Sequence, residues 1–229
     1  MNFVGIDKLS LVDYDEYVSC ILFSKGCNFK CPFCHNASLV VENPNIEIPF
    51  EDILDYLKTR IGVIDAVVVS GGEPTLMKDL EEKITAIKNL GFLIKLDTNG
   101  TNPKMLKDLV NKGLINYVAM DIKNSKECYP LTCGLDKINM DPICESIEFL
   151  LSNKVPYEFR TTLVNEFHTP ESIKQLGELI TGADKLFLQH FKDGGTCIQS
   201  GLHEVVQKDA EKYLEILSKY VNTAELRGY

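Results

Sequence analysis

The chain has 229 residues, 45% of them hydrophobic and 25% charged, ordinary globular proportions that exclude a disordered or collagen-like polypeptide. Thirty-three acidic against 24 basic side chains leave a net charge of −9. Such a surface repels phosphate backbones and anionic lipid, which argues against a nucleic-acid binder. No apolar run exceeds four residues, so no membrane span is expected. Met1 to Asp7 lack the basic flank and apolar stretch of a secretory signal. Eight cysteines without an export signal point to the reducing cytoplasm, where thiols serve metals or catalysis more often than disulfides.

Strand-like and helix-like segments alternate along the chain. Residues 17–23, 65–70, 92–97, 116–121, 157–163 and 185–189 are short β-branched or aromatic runs that predict strands. Between them lie stripes of helical period: Phe50, Ile53, Leu54 and Leu57, then Leu76, Leu80, Ile84 and Ile87, the second closed by Gly91. Asn102-Pro103, Asp141-Pro142 and Thr169-Pro170 each place a capping residue before a proline suited to the first helical turn. A last amphipathic helix is expected over about 203–221. Six strands alternating with helices predict parallel β-α units with right-handed crossovers. An eight-unit barrel usually takes about 250 residues, so the expectation is a partial (β/α)6 TIM-like barrel, open on one side, in one domain spanning 1–229. A flat doubly wound sheet would give much the same periodicity. Either fold gathers chemistry at the C-terminal strand ends.

Directly after the first predicted strand, a loop at 24–36 holds Cys27, Cys31 and Cys34 in C-x₃-C-x₂-C spacing. Thiolates suit zinc or iron–sulfur clusters. A structural zinc and an ordinary [4Fe–4S] cluster each want four protein ligands. His35 is a poor fourth, because it neighbours Cys34 and points away from it. Three cysteines on a cluster would leave one iron open for a ligand. A structural zinc site or three buried thiols is the plainer alternative.

The second predicted strand ends in Ser70-Gly71-Gly72-Glu73-Pro74. Two glycines let backbone approach a ligand closely, and Glu73 offers a carboxylate; alone, the segment reads as a tight turn. The third strand ends in Asp97-Thr98-Asn99-Gly100 and the fourth in Met120-Asp121-Ile122-Lys123. Asp97 and Asp121 could serve a hard cation or a salt-bridge network around Lys123.

Together these motifs closely resemble radical S-adenosylmethionine (SAM) enzymes, whose signature carries an aromatic residue before the last cysteine, here Phe33. Within that superfamily, residues 26–36, Gly-Gly-Glu-Pro, Asp-Thr-Asn-Gly and Met-Asp-Ile-Lys are similar to the activating enzymes of glycyl-radical proteins. The resemblance is greatest to those of anaerobic ribonucleoside-triphosphate reductases. It implies one [4Fe–4S] cluster on the three cysteines, chelation of SAM by the open iron, and reductive cleavage to a deoxyadenosyl radical that takes a glycine α-hydrogen from a partner. By the same resemblance, Gly71, Gly72, Glu73 and Pro74 hold the SAM ammonium and His35 and Asn36 flank the adenosyl group. Asn99, Lys123 and Arg160 line the pocket, His190 matches a pocket histidine, and Asp97 and Asp121 bind a monovalent cation. The implied partners are a glycyl-radical enzyme like the anaerobic ribonucleotide reductase and a flavodoxin or ferredoxin reductant. Residues 36–70 contain no cysteine, so the ferredoxin-like insert of many activases is missing and a single cluster is expected. A small-molecule radical SAM enzyme, for instance in modified-base biosynthesis, is the alternative. Cys128, Cys133 and Cys144 read as packing or idle thiols.

Overall fold

The computed structural model describes residues 3–40 and 47–229. Met1 and Asn2, and 41–46 within the cysteine-free stretch, lie outside the described residues. Eight strands form one sheet in sequence order: β1 (Phe3–Ser10), β2 (Ser19–Ser24), β3 (Ala66–Gly71), β4 (Leu93–Thr98), β5 (Tyr117–Asp121), β6 (Tyr157–Leu163), β7 (Lys185–His190) and β8 (Thr223–Arg227). β1 pairs antiparallel with β2, and every later pairing is parallel. β1 and β8 remain at opposite edges, so the sheet does not close.

The six expected strands are β2 to β7. The two additional edge strands escape the periodicity for a physical reason. β1 runs through exposed Asp7, Lys8 and Leu9, and β8 buries none of its residues fully, so neither shows the apolar run of a central parallel strand.

Among the described residues eight helices connect the strands: α1 (Ala37–Val40), α2 (Phe50–Lys58), α3 (Leu80–Lys88), α4 (Pro103–Asn111), α5 (Tyr129–Thr132), α6 (Asp141–Leu151), α7 (Pro170–Leu179) and α8 (Gln207–Leu217). Leu76 falls outside α3, in a short 3₁₀ turn begun by Pro74. Asn102 caps α4 by accepting from the Met105 N–H at 3.2 Å, and Thr169 and Ser172 form a reciprocal capping box on α7. The expected Asp141 cap is a correction. Met140 takes the cap position without a side-chain bond, and Asp141 is already helical, its N–H satisfied by Asn139 Oδ1 at 3.0 Å.

Residues alternate between the two faces of a strand, and here the faces differ in chemistry. On the outer face Leu22, Val67, Val69, Ile94, Leu96, Val118 and Phe159 join the helical stripes in one large core. Leu80, Ile84 and Ile87 of α3 are fully buried there, each stabilising the fold by roughly 1.5–3 kcal/mol. The inner face carries a small separate cluster of Tyr14, Ile21, Ala66 and Val68. Beside it stand Lys95, Asp97, Asp121, Glu158 and Arg160 on β4 to β6. A doubly wound sheet is apolar on both faces because helices cover both. One helix-covered face and one charged, concave face make this a partial barrel. At its N-terminal end Lys95 Nζ donates to Asp13 O at 2.7 Å and meets Glu158 at 3.3 Å, so the β1–β2 loop seals the floor. The C-terminal end stays open.

Candidate functional site

The loop after β2 is held by backbone from several sides. Gly72 N–H donates to Ser24 O at 2.9 Å, Glu73 N–H to Gly26 O at 2.8 Å, and Gly26 N–H to Leu39 O at 3.0 Å. A Cβ on Gly72 would stand 1.9 Å from Gly26 O, so only glycine lets β3 approach the cysteine loop this closely. Asn99 Nδ2 donates to Asn28 Oδ1 at 2.8 Å, and Asn28 Nδ2 donates to Thr101 Oγ1 at 2.9 Å, which fastens the loop to the end of β4.

These contacts bring Cys27, Cys31 and Cys34 to the rim of a cavity of about 210 Å³ at the C-terminal strand ends. Phe33, His35 and Asn36 complete its upper wall, and Gly71, Gly72 and Glu73 form its side. Asp97 and Asn99 of β4 and its loop, Asp121 and Lys123 after β5, and Arg160 of β6 line the rest. Two expected residues lie elsewhere. Pro74 is buried at the start of the 3₁₀ turn. His190 is engaged by Gly228 O at 3.1 Å, Glu204 Oε2 at 2.7 Å and the Tyr229 ring at 4.4 Å, because the carboxy-terminal tail after β8 packs over the end of β7. Ser70, Thr98, Thr162 and Phe29 also line the cavity; Ser70 and Thr98 stand inside the sequence motifs, beside residues of louder chemistry.

Glu73 is 1% exposed, and its carboxylate is already engaged. Oε1 accepts from the Thr75 N–H at 3.1 Å, from the Thr75 hydroxyl and from Thr98 Oγ1 at 2.8 Å, while Oε2 accepts from the Asn99 N–H at 2.7 Å. Burial pushes its carboxyl upward and these donors oppose the shift. The side chain therefore ties the β3 and β4 loops together.

The charged floor is a relay across three strands. Asp97 Oδ2 accepts from Ser70 Oγ at 3.0 Å and from Arg160 Nη1 at 3.2 Å. Asp121 Oδ1 accepts from Arg160 Nε at 2.9 Å, and Oδ2 from Lys123 Nζ at 2.9 Å. Burial alone would raise the Asp121 carboxyl, but Arg160 and Lys123 outweigh it and hold it at about 2. Asp97 and Asp121, which the sequence left open to a cation or to a salt-bridge network around Lys123, are bridged by the Arg160 guanidinium. Among the described residues no three His, Cys, Asp or Glu side chains gather round a single ion. Of the four carboxylate oxygens, Asp97 Oδ1 is the buried one with no hydrogen-bond partner.

The thiols differ in environment. Burial pushes Cys27 up to about 12 and also raises Cys34. Cys31 is lowered, first by the neighbouring Cys133 thiol and against its own burial. Cys27 Sγ accepts from the Phe29 N–H at 3.3 Å and from Asn99 Nδ2 at 3.8 Å. Donors aimed at sulfur, three thiols on one rim, a cradle that a Cβ would fill and an orphaned acid oxygen fit an iron–sulfur centre with a polar organic ligand beside it.

The radical SAM superfamily model matches residues 21–180, from β2 into the turn after α7. The chain belongs to the radical SAM superfamily. A Methanocaldococcus jannaschii protein provisionally named as a glycyl-radical enzyme activating enzyme is 34% identical over 97% of this chain and 94% of its own length. A Saccharolobus solfataricus protein provisionally named as a GTP 3′,8-cyclase is 40% identical, over 56% of this chain and 41% of its own length. A domain of the pyruvate-formate lyase-activating enzyme of Bacteroides vulgatus superposes with a TM-score of 0.58 at 17% identity. The superposition covers 72% of this chain and 99% of that domain. Membership in the radical SAM superfamily implies a [4Fe–4S] cluster and SAM as cofactors. Among the described residues no helix is long and apolar enough to cross a membrane.

Proposed function

We propose that the chain activates a glycyl-radical enzyme. The observation that carries this reading is the similarity, over nearly the full length of both chains, to a protein provisionally named for that activity. The partial barrel supports it: β1 and β8 stay unpaired with each other, so a polypeptide loop can reach chemistry held at the open strand ends.

Cys27, Cys31 and Cys34 would hold the cluster, and the residues facing them from β3 to β6 would hold SAM. The group so held would supply one-electron reduction of SAM, chemistry directed at a glycine α-hydrogen of the partner. The chain's own part is binding, orientation and exclusion of water. Gly71 and Gly72 present backbone to the SAM ammonium, with Glu73 holding that backbone in place. Asp97 Oδ1 is left to accept from a donor on SAM, or to share a monovalent cation with it. Lys123 and Arg160 keep positive charge against the floor, and Phe33, His35 and Asn36 wall the adenosyl side. The partner is a glycyl-radical protein of the anaerobic ribonucleotide reductase kind, and a flavodoxin or ferredoxin supplies the electron.

A small-molecule reaction is the second reading, favoured by the cyclase match over 136 residues. Reduced protein incubated with SAM and candidate glycyl-radical proteins is expected to give a glycyl radical by electron paramagnetic resonance. Deoxyadenosine formed with a metabolite, and no partner radical, would overturn the activase assignment.

A further inference from the structure

The cavity lining ends on β6, at Thr162; among the described residues none from β7 or β8 reaches it. The groups proposed above to hold the cluster and SAM stand on β2 to β6 and their loops. The side left for a second reactant is therefore the one facing β7 and β8. Its lower half is filled. Arg227 of β8 lies 3.7 Å from the centre of the Phe187 ring on β7 and reaches Glu158 Oε1 and Asp15 Oδ2 at 3.4 Å each. Above Phe187, the next side chain on the same face of β7 is Gln189, two residues on.

Gln189 pairs in register with Thr162 of β6, and the Thr162 hydroxyl donates to Gln189 Oε1 at 3.4 Å. Thr162 stands on the cavity and Gln189 directly beside it on the open side. With its oxygen given to Thr162, the carboxamide has an Nε2 that makes no hydrogen bond among the described residues. The pair thus offers a free N–H donor next to a hydroxyl oxygen that still has acceptor capacity. A peptide group is the complementary object, its C=O accepting from Nε2 and its N–H donating to the hydroxyl. A target glycine has no side chain to grip, so its recognition falls on the peptide groups that flank its α-carbon.

We propose that Thr162 and Gln189 form the substrate subsite: they bind the peptide group beside the target glycine and set its α-carbon at the mouth of the cavity. This rests on the activase reading above and names the residues by which it recognises the partner. Neither side chain carries charge, which suits a neutral backbone. His190, the next residue, takes no part, because its ring is engaged by Gly228, Glu204 and Tyr229.

The test uses a capped heptapeptide of alanines around one central glycine that carries deuterium on its α-carbon. Wild type and Gln189→Met, which keeps side-chain length and loses the amide, are reconstituted without oxygen. Iron per chain and SAM affinity by calorimetry are measured first, then deuterium recovered in deoxyadenosine at varied peptide concentration. Gln189→Met is expected to hold iron and SAM as wild type does. Its KM for the peptide should rise about two- to tenfold, the contribution of one neutral hydrogen bond, with kcat little changed. An ester in place of the amide after the glycine weakens that carbonyl as an acceptor. It should raise KM for wild type and hardly alter it for Gln189→Met, where the bond it weakens is already gone. Gln189→Ala carries the same expectations should methionine prevent folding. Equal KM in wild type and variant, or an equal ester penalty in both, overturns the proposal. So does a loss of SAM affinity in the variant, which would place Gln189 in the cofactor's pocket. Wild type that forms deoxyadenosine without deuterium would instead overturn the activase reading beneath it.

Discussion

Arg160 reaches across β5 to donate Nη1 to Oδ2 of Asp97 at 3.2 Å, leaving Oδ1 of the same carboxylate buried and unpartnered. A buried acceptor without a donor is costly, so this oxygen is the strongest pointer to what the cavity receives. Asp97→Asn keeps the shape and removes the charge. A hydrogen bond to a charged group contributes about 1.5–3 kcal/mol, so SAM affinity by calorimetry is expected to fall about ten- to hundredfold, with iron content unchanged. Equal affinity in the variant would remove Asp97 from the pocket.

Gly72→Ala is expected to damage the cysteine loop without touching a thiol. The added carbon would lie 1.9 Å from Gly26 O, and backbone on both sides must part to admit it. Iron bound per chain after anaerobic reconstitution should fall well below wild type. Gly194→Ala, whose nearest neighbour would be 4.0 Å away, is the control and should load normally.

Glu73→Gln tests the carboxylate as a tie between loops. All of its recorded partners are donors, so an amide must turn its NH₂ towards one of them. One buried bond is lost and a donor left unsatisfied, a cost of about 1–3 kcal/mol. A melting temperature lower by several degrees is expected by calorimetry; an unaltered Tm would show that the four hydrogen bonds do not stabilise the fold.

Acid should release the floor of the site in a defined window. Asp121 is held at about 2, below the ordinary 3.8. A carboxyl depressed in the folded state contributes stability that is full above about 3.8 and lost as pH falls through about 2. The stability advantage of wild type over Asp121→Asn, read from denaturant midpoints, should therefore be constant from pH 7 to 5 and shrink between pH 4 and 2. An advantage unaffected by acid would mean that the ion pairs with Arg160 and Lys123 do not stabilise the fold.

The β-α order and the four strand-end motifs were legible because both are local. Strand runs, Pro-initiated helices and the spacing of Cys27, Cys31 and Cys34 each lie within a dozen residues. What was hidden is relational. Cys133 read as a packing or idle thiol and is fully buried, but nothing near it in sequence announces that its segment packs against Lys30 of the cysteine loop. That Glu73 also ties two loops together was hidden because its donors Thr98 and Asn99 come from the next strand. His190 sits at a strand end as expected, yet the tail after β8, with no apolar period of its own, turns back to engage it. Asp97 and Asp121 left cation and ion pair both open, and nothing in the sequence hinted that Arg160, two strands from Asp97, reaches both carboxylates.

The wall that Cys133 and Gly134 build behind the cysteine loop also sets an order of assembly. Ribosomes add about 5–20 residues per second, so α5 emerges several seconds after Cys31. A nascent chain displays its three thiols with nothing at their back throughout that interval. Iron delivered then would meet a floppy, wet loop and not the enclosed rim of the finished protein. The contacts that back the cysteine loop are therefore complete only once synthesis has passed α5.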